Sequence, residues 1–177
     1  MPRKVSSNSI ALAGEFAVLS QLALRGFDAN LTLGNTKGVD ILASDPVSGA
    51  FFRIEVKTSG YRNKKGSAVR RSPFWGESFT WVVGKRNELL TDPLLVYCFV
   101  NLGGPDDGAF RFFVVPSATV ADYVAAQHQL WLSGDSARKD TTMRVFRLGT
   151  NPNFEYPLPT PLASDHENNW ELLTARR

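Results

Sequence analysis

Asp40, Glu55 and Lys57 are charged residues set inside two short apolar runs of the segment "KGVDILASDPVSGAFFRIEVKTSG", residues 37–60. The runs read as two strands around a turn, with "SDPVSG" as the turn. Side chains alternate along a strand. Phe52, Ile54 and Val56 therefore share one face, and Arg53, Glu55 and Lys57 the other. In the first strand Val39, Ile41 and Ala43 share a face, with Asp40 and Leu42 opposite. A turn centred between Val47 and Ser48 pairs Ile41 with Ile54, Ala43 with Phe52, and Val39 with Val56, all apolar. The same register sets Asp40 against Glu55. Opposed side chains have Cβ atoms about 4.5–5.5 Å apart, and like charges there are destabilising. A divalent cation resolves that conflict, and oxygen-only ligands point to Mg2+ or Mn2+ rather than zinc. Lys57 lies on the Glu55 face. An ammonium there stabilises developing negative charge or orients an attacking water. The plainer reading is a strand ion pair with Asp40 or Glu55.

Glu15 adds a third carboxylate. At 100° per residue it falls between Leu12, Leu19 and Leu22, inside the apolar arc of the chain's first helix. A carboxylate in that position is costly unless it is paired or metal-linked; the plainer reading is a Glu at the edge of the stripe whose tip reaches water.

These residues need elements to hold them. Ser9 to Arg25 has helical periodicity, with Ser7, Asn8 or Ser9 as the cap and Gly26 as the stop. Asp28 to Leu33 reads as a strand, followed by the two strands Val39 to Ala43 and Phe51 to Thr58. Residues 60–76 read as a polar, basic loop. "FTWVV" (79–83) reads as a short strand and "KRNELL" as a helical turn. Leu94 to Leu102 and Phe110 to Val115 are strong strands joined by "GGPDDG", and Ser117 caps a helix to about Leu132. "RVFRL" (144–148) reads as an edge strand. The order predicts a mixed α/β domain over 1–150. A proline-rich extension, 151–177, is expected to run extended over it, with Trp170 and Leu172 as anchors.

Composition narrows the setting. The 177 residues are 43% hydrophobic, enough for one domain with a core. The single cysteine, Cys98, excludes an internal disulfide and reads as a small core residue. No apolar stretch approaches the ~20 residues that span a bilayer, so the chain reads as cytoplasmic, with no membrane partner. Charge is uneven. Residues 53–86 hold nine Lys/Arg against two acids, a local +7; the chain carries +3, which leaves −4 elsewhere. A basic block of this kind suggests a polyanion partner.

In order and spacing, Glu15, "GVD" with Asp40, and "EVK" with Glu55 and Lys57 resemble the PD-(D/E)XK nuclease superfamily. The layout is most similar to archaeal-type Holliday junction resolvases and restriction-endonuclease-like proteins. "GEFAVLSQLALRGFD" is similar to the opening helix of that group. The resemblance covers about residues 9–60, and Val39 stands where the motif's name has proline. It implies a restriction-endonuclease-like fold, a central mixed sheet flanked by helices on an α-β-β-β-α-β core. It also implies an Mg2+-dependent endonuclease acting on DNA, with branched DNA among the substrates. Asp40 and Glu55 would hold the ion, with the Val56 carbonyl as a further ligand and Glu15 acting through water. Lys57 would position the attacking water. Arg62, Lys64, Lys65, Arg70 and Arg71 would contact phosphates, and Tyr61, Phe74 and Trp75 would stack on bases or fold onto the core. Symmetric cutting of two strands would call for a homodimer. The competing readings are a catalytically silent nuclease fold that binds nucleic acid or a protein, and an interaction protein with an accidental "EVK".

Overall fold

The computed structural model describes residues 5–32, 38–60, 69–102 and 110–174. The first helix, α1 (Ser7–Ala23), starts where the Ser6 hydroxyl accepts the Ser9 N–H at 3.1 Å. Such a cap is worth about 1 kcal/mol. The cap is therefore Ser6, just upstream of the expected Ser7–Ser9. The helix stops at Gly26, whose φ of +82° suits glycine, with the Phe27 N–H closing back onto the Leu22 carbonyl.

Five strands build the central sheet: β1 (Asp28–Leu31), β2 (Ile41–Ser44), β3 (Phe51–Ser59), then β6 (Leu95–Leu102) and β7 (Phe110–Pro116). Their spatial order is β1-β2-β3-β6-β7, antiparallel except for the parallel β3–β6 pair at the centre. The sheet is therefore mixed, as expected. Ile41 faces Ile54 and Ala43 faces Phe52, the apolar pairs that the alternation dictates. The β2–β3 turn is set by Asp45, whose carboxylate accepts from the Val47 N–H and the Ser48 hydroxyl.

Alternation also explains the core. On β6, Val96, Cys98 and Val100 pack with α1 residues Val18 and Leu22 and with Ile54 and Val56 of β3. Leu95, Tyr97 and Phe99 pack on the opposite side. That side is covered by α2 (Ser117–Ser133) and by a second, antiparallel sheet of β4 (Arg70–Ser72), β5 (Gly76–Gly84) and β8 (Met143–Gly149), in the order β4-β5-β8. The second sheet departs from the sequence reading, and β4 lies inside the expected loop. Ser117 opens α2 but does not cap it with its side chain: its hydroxyl donates to the Asp92 carbonyl at 2.6 Å.

The last residues are less extended than expected. A short α3 (Ala163–His166) and a 3-10 turn (Trp170–Leu173) bring buried Trp170 and Leu173 into the α1-side core, with Leu172 packed at its border. Among the described residues, no helix is long and apolar enough to cross a membrane.

Candidate active site

The charged face of β3 points away from α1. Glu55 is 1% exposed and paired in register with Tyr97 of β6. Its Oε1 lies 2.6 Å from Lys57 Nζ and 3.5 Å from Arg86 Nη2. Its Oε2 is buried with no hydrogen-bond partner among the described residues. A buried carboxylate oxygen left unpaired is expensive, so this atom marks a place where a ligand would be welcome. Gly38 keeps the place open. At φ +83°, a Cβ there would stand 2.9 Å from that oxygen.

Asp40 sits just outside β2. Its N–H donates to the Ile54 carbonyl at 2.9 Å, although Ile41 already faces Ile54. Two residues of one strand meeting one of the other is the arrangement of a β-bulge. The bulge takes Asp40 out of direct opposition to Glu55, the register expected from simple alternation. It lets Asp40 Oδ2 accept the Val56 N–H at 2.7 Å. A strand residue directs its N–H and C=O to the same edge, so the Val56 carbonyl lies on the Asp40 side too.

Electrostatics tie the acids together. Burial pushes the Asp40 carboxyl above its ordinary value, with the Glu55 charge adding; the Val56 hydrogen bond, Lys57 and Arg86 oppose the shift. Glu15 is raised first by burial and then by Asp40, with Lys57 opposing. Asp40 is thus the pivot, interacting with Glu55 on one side and Glu15 on the other.

The wheel placed Glu15 inside the apolar arc. The buried line of α1 instead runs through Gly14, Val18 and Leu22, and Glu15 stands half-buried at its border, with Leu12 exposed. What holds α1 here is contact between Gly14 and Thr58: a Cβ on Gly14 would come 2.9 Å from Thr58 Cβ and 3.0 Å from its Cγ2.

The donor set fits a divalent ion of the Mg2+ type, which is bound by one or two carboxylates and completes its shell with water and phosphate. Asp40, Glu55 with its unpartnered Oε2, and the Val56 carbonyl would hold it. Among the described residues, no group of three His, Cys, Asp or Glu side chains is arranged as a metal cage. Glu15, which reaches the cluster from the α1 side of the sheet, is not part of such a group.

The basic residues divide. Tyr61, Arg62, Lys64 and Lys65 lie outside the described residues. Arg70 and Arg71 are exposed on β4, with Arg71 paired to Glu77 at 2.6 Å. Trp75 is half-buried under the Arg147 guanidinium, 4.3 Å from the ring centre, while Phe74 meets it edge-on and stays 55% exposed. Trp75 is therefore occupied by the protein's own packing. Cys98 is fully packed, and burial drives its thiol pKa up. His128 is buried and bonded to Asp140 at 2.9 Å, a structural role. Sequence reasoning gave no site role to Arg86, because only the fold brings its turn to Glu55.

No family model and no curated protein matches the chain. Among solved structures it is similar to a bacterial homing endonuclease, I-Ssp6803I, with a TM-score of 0.51 and 14% identity. The match covers 97% of this chain and 94% of that one, so the two share an overall fold nearly from end to end.

Proposed function

We propose that this chain is a metal-dependent endonuclease that hydrolyses DNA phosphodiester bonds at the Asp40–Glu55–Lys57 cluster, with Glu15 beside it. The observation that carries the reading is a buried carboxylate oxygen, Glu55 Oε2, with no hydrogen-bond partner among the described residues, on a carboxylate that pairs with Lys57 through its other oxygen and acts on the charge of Asp40. Likeness to a homing endonuclease supports a nuclease and a nucleic-acid partner. Bound Mg2+ or Mn2+ would polarise a phosphoryl oxygen and offset charge on the leaving oxygen. Asp40, Glu55 and the Val56 carbonyl would hold the ion. Lys57 orients the water whose oxygen bonds to phosphorus as the phosphorus–sugar oxygen bond breaks. That water gives up a proton and the sugar oxygen gains one, so one water is consumed. Arg70 and Arg71, with Arg62, Lys64 and Lys65, position the backbone phosphates and carry no sequence information themselves. A homodimer would let two such sites cut both strands.

One observation favours a second reading, a silent nuclease fold that binds nucleic acid or a protein: the described acids form no three-ligand group. A panel of plasmid, single-stranded DNA, four-way junction and RNA, each with Mg2+, Mn2+ or EDTA, separates the two. Cutting that EDTA abolishes supports the nuclease and identifies the substrate, including whether branched DNA is preferred. Binding without cutting under every metal supports the silent fold.

A further inference from the structure

The 3-10 turn Lys85–Leu89 links β5 toward β6, and its polar side chains are fastened from several sides. Lys85 Nζ meets Asp140 Oδ2 at 2.6 Å. Asn87, 1% exposed, accepts the Tyr97 hydroxyl at 2.8 Å. Glu88 pairs with the buried Arg144 guanidinium. Arg144 in turn donates to Asp140 at 3.1 Å and to the Thr141 and Met143 carbonyls. Buried ion pairs of this kind add little net stability, but they fix geometry. Leu89 is left in solvent at 83% exposure. Arg86 alone among the turn's polar side chains points to the cluster, its Nη2 3.5 Å from Glu55 Oε1 and its side chain 45% exposed.

That contact is looser than the 2.6 Å Lys57–Glu55 pair, and a guanidinium has five N–H donors. Among the described residues the Glu55 contact engages only Nη2, and the side chain is 45% exposed. Gly38 is needed here as well, since a Cβ would stand 3.0 Å from Arg86 Nη2. The planar fork of arginine matches the oxygens of a phosphate.

We propose that Arg86 is a further catalytic residue, held by this turn to grip a non-bridging oxygen of the scissile phosphate and to offset the charge that builds there. The proposal rests on the nuclease reading and deepens it. Arg86 exchanges no proton and no electrons. Water still adds across the breaking phosphorus–oxygen bond, as above.

The test uses the full chain and the panel member that wild type cuts, with three readouts: single-turnover cleavage at saturating metal, Mn2+ affinity by calorimetry without DNA, and the Tm. Arg86→Ala is expected to slow cleavage about 100-fold. Its Mn2+ affinity is expected to be unchanged or a few-fold tighter, since a cation beside Glu55 has gone. Arg86→Lys is expected to recover about 10-fold of the loss, because an ammonium supplies charge without the fork. Cleavage by Arg86→Ala within about 3-fold of wild type overturns the proposal and leaves the nuclease reading standing. So does a loss fully explained by Mn2+ binding weakened more than about 10-fold, which would make Arg86 a support for Glu55. If wild type cuts nothing under any metal, the nuclease reading fails and takes this proposal with it.

Discussion

Gly14→Ala is a one-carbon perturbation whose consequence follows from the packing of α1 on β3. The added Cβ would lie 2.9 Å from Thr58 Cβ, 3.0 Å from Cγ2 and closer still to Oγ1, whereas ordinary contact begins near 3.4 Å. Thr58 is β-branched, so only one of its three χ1 settings turns the lone hydrogen toward the helix. Even then its Cβ stays too near, and the helix must retreat by about 0.5–1 Å. Alanine in place of glycine returns about 1 kcal/mol of helix propensity, against about 1–3 kcal/mol for overpacking. The net cost is about 0–2 kcal/mol, which lowers the Tm of a chain this size by at most about 8 °C. The functional cost is larger. Glu15 is the next residue and moves with the helix, and a displacement of about 1 Å costs about 100-fold in rate. The assay pairs thermal melting with metal-dependent plasmid cleavage for wild type, Gly14→Ala, and Gly14→Ala combined with Thr58→Ala. The double variant removes Oγ1 and Cγ2 but keeps the Cβ 2.9 Å away, and is expected to recover only part of the activity. A Gly14→Ala protein that melts and cuts like wild type would refute the reasoning, because Glu15 would then not depend on this seat.

Burial raises the Asp40 and Glu15 carboxyls above their ordinary values of 3.8 and 4.5. The folded chain then holds protons that the unfolded chain has already released, so this contribution to stability falls as pH rises from those values through the raised ones. In EDTA, Asp40→Asn is expected to flatten that slope in urea denaturation, and equal slopes for both proteins would contradict the assignment. Added Mg2+ is expected to reverse the trend, stabilising more as pH rises, because it takes the ionised carboxylates. Phe99, fully buried with its ring 4.4 Å from Phe146 and 4.9 Å from Trp81, is expected to cost about 3–5 kcal/mol when changed to Ala, read by urea denaturation. Cys98, 1% exposed with its thiol pKa raised by burial, is expected to resist a thiol-reactive dye in the native protein and to react fully in guanidinium.

The sequence was most informative where one face of an element is apolar. Alternation over residues 41–44 and 51–56 specifies the β2–β3 register, because a slip by one residue would expose Ile54 and bury Arg53. It fails one residue earlier in the chain, where Asp40 leaves the ladder at a bulge, a feature that composition does not encode. Strand β4 was not legible, because Arg70, Arg71 and Ser72 carry no apolar alternation. They form a strand by backbone pairing to Gly76–Ser78 across a short turn. The division into two sheets was also hidden, since β5 and β8 pair across a long stretch of chain that includes β6, β7 and α2. Glu15, Asp40, Glu55 and Lys57 were nameable from spacing, but the part played by Gly14 and Gly38 in seating them emerges only from what a Cβ would strike. Arg86 was legible only as one charge in a basic block, because its approach to Glu55 is made by a turn distant in sequence.

Plasmid cleavage titrated with Mn2+, for wild type, Asp40→Asn and Lys57→Met side by side, is the measurement to make first. A nuclease centred on this cluster cuts only with metal, and each substitution slows it by about 100-fold or more while the Tm shows a folded protein. Cutting that persists in EDTA, or that both variants sustain at the wild-type rate, would place the chemistry elsewhere or remove it from this protein.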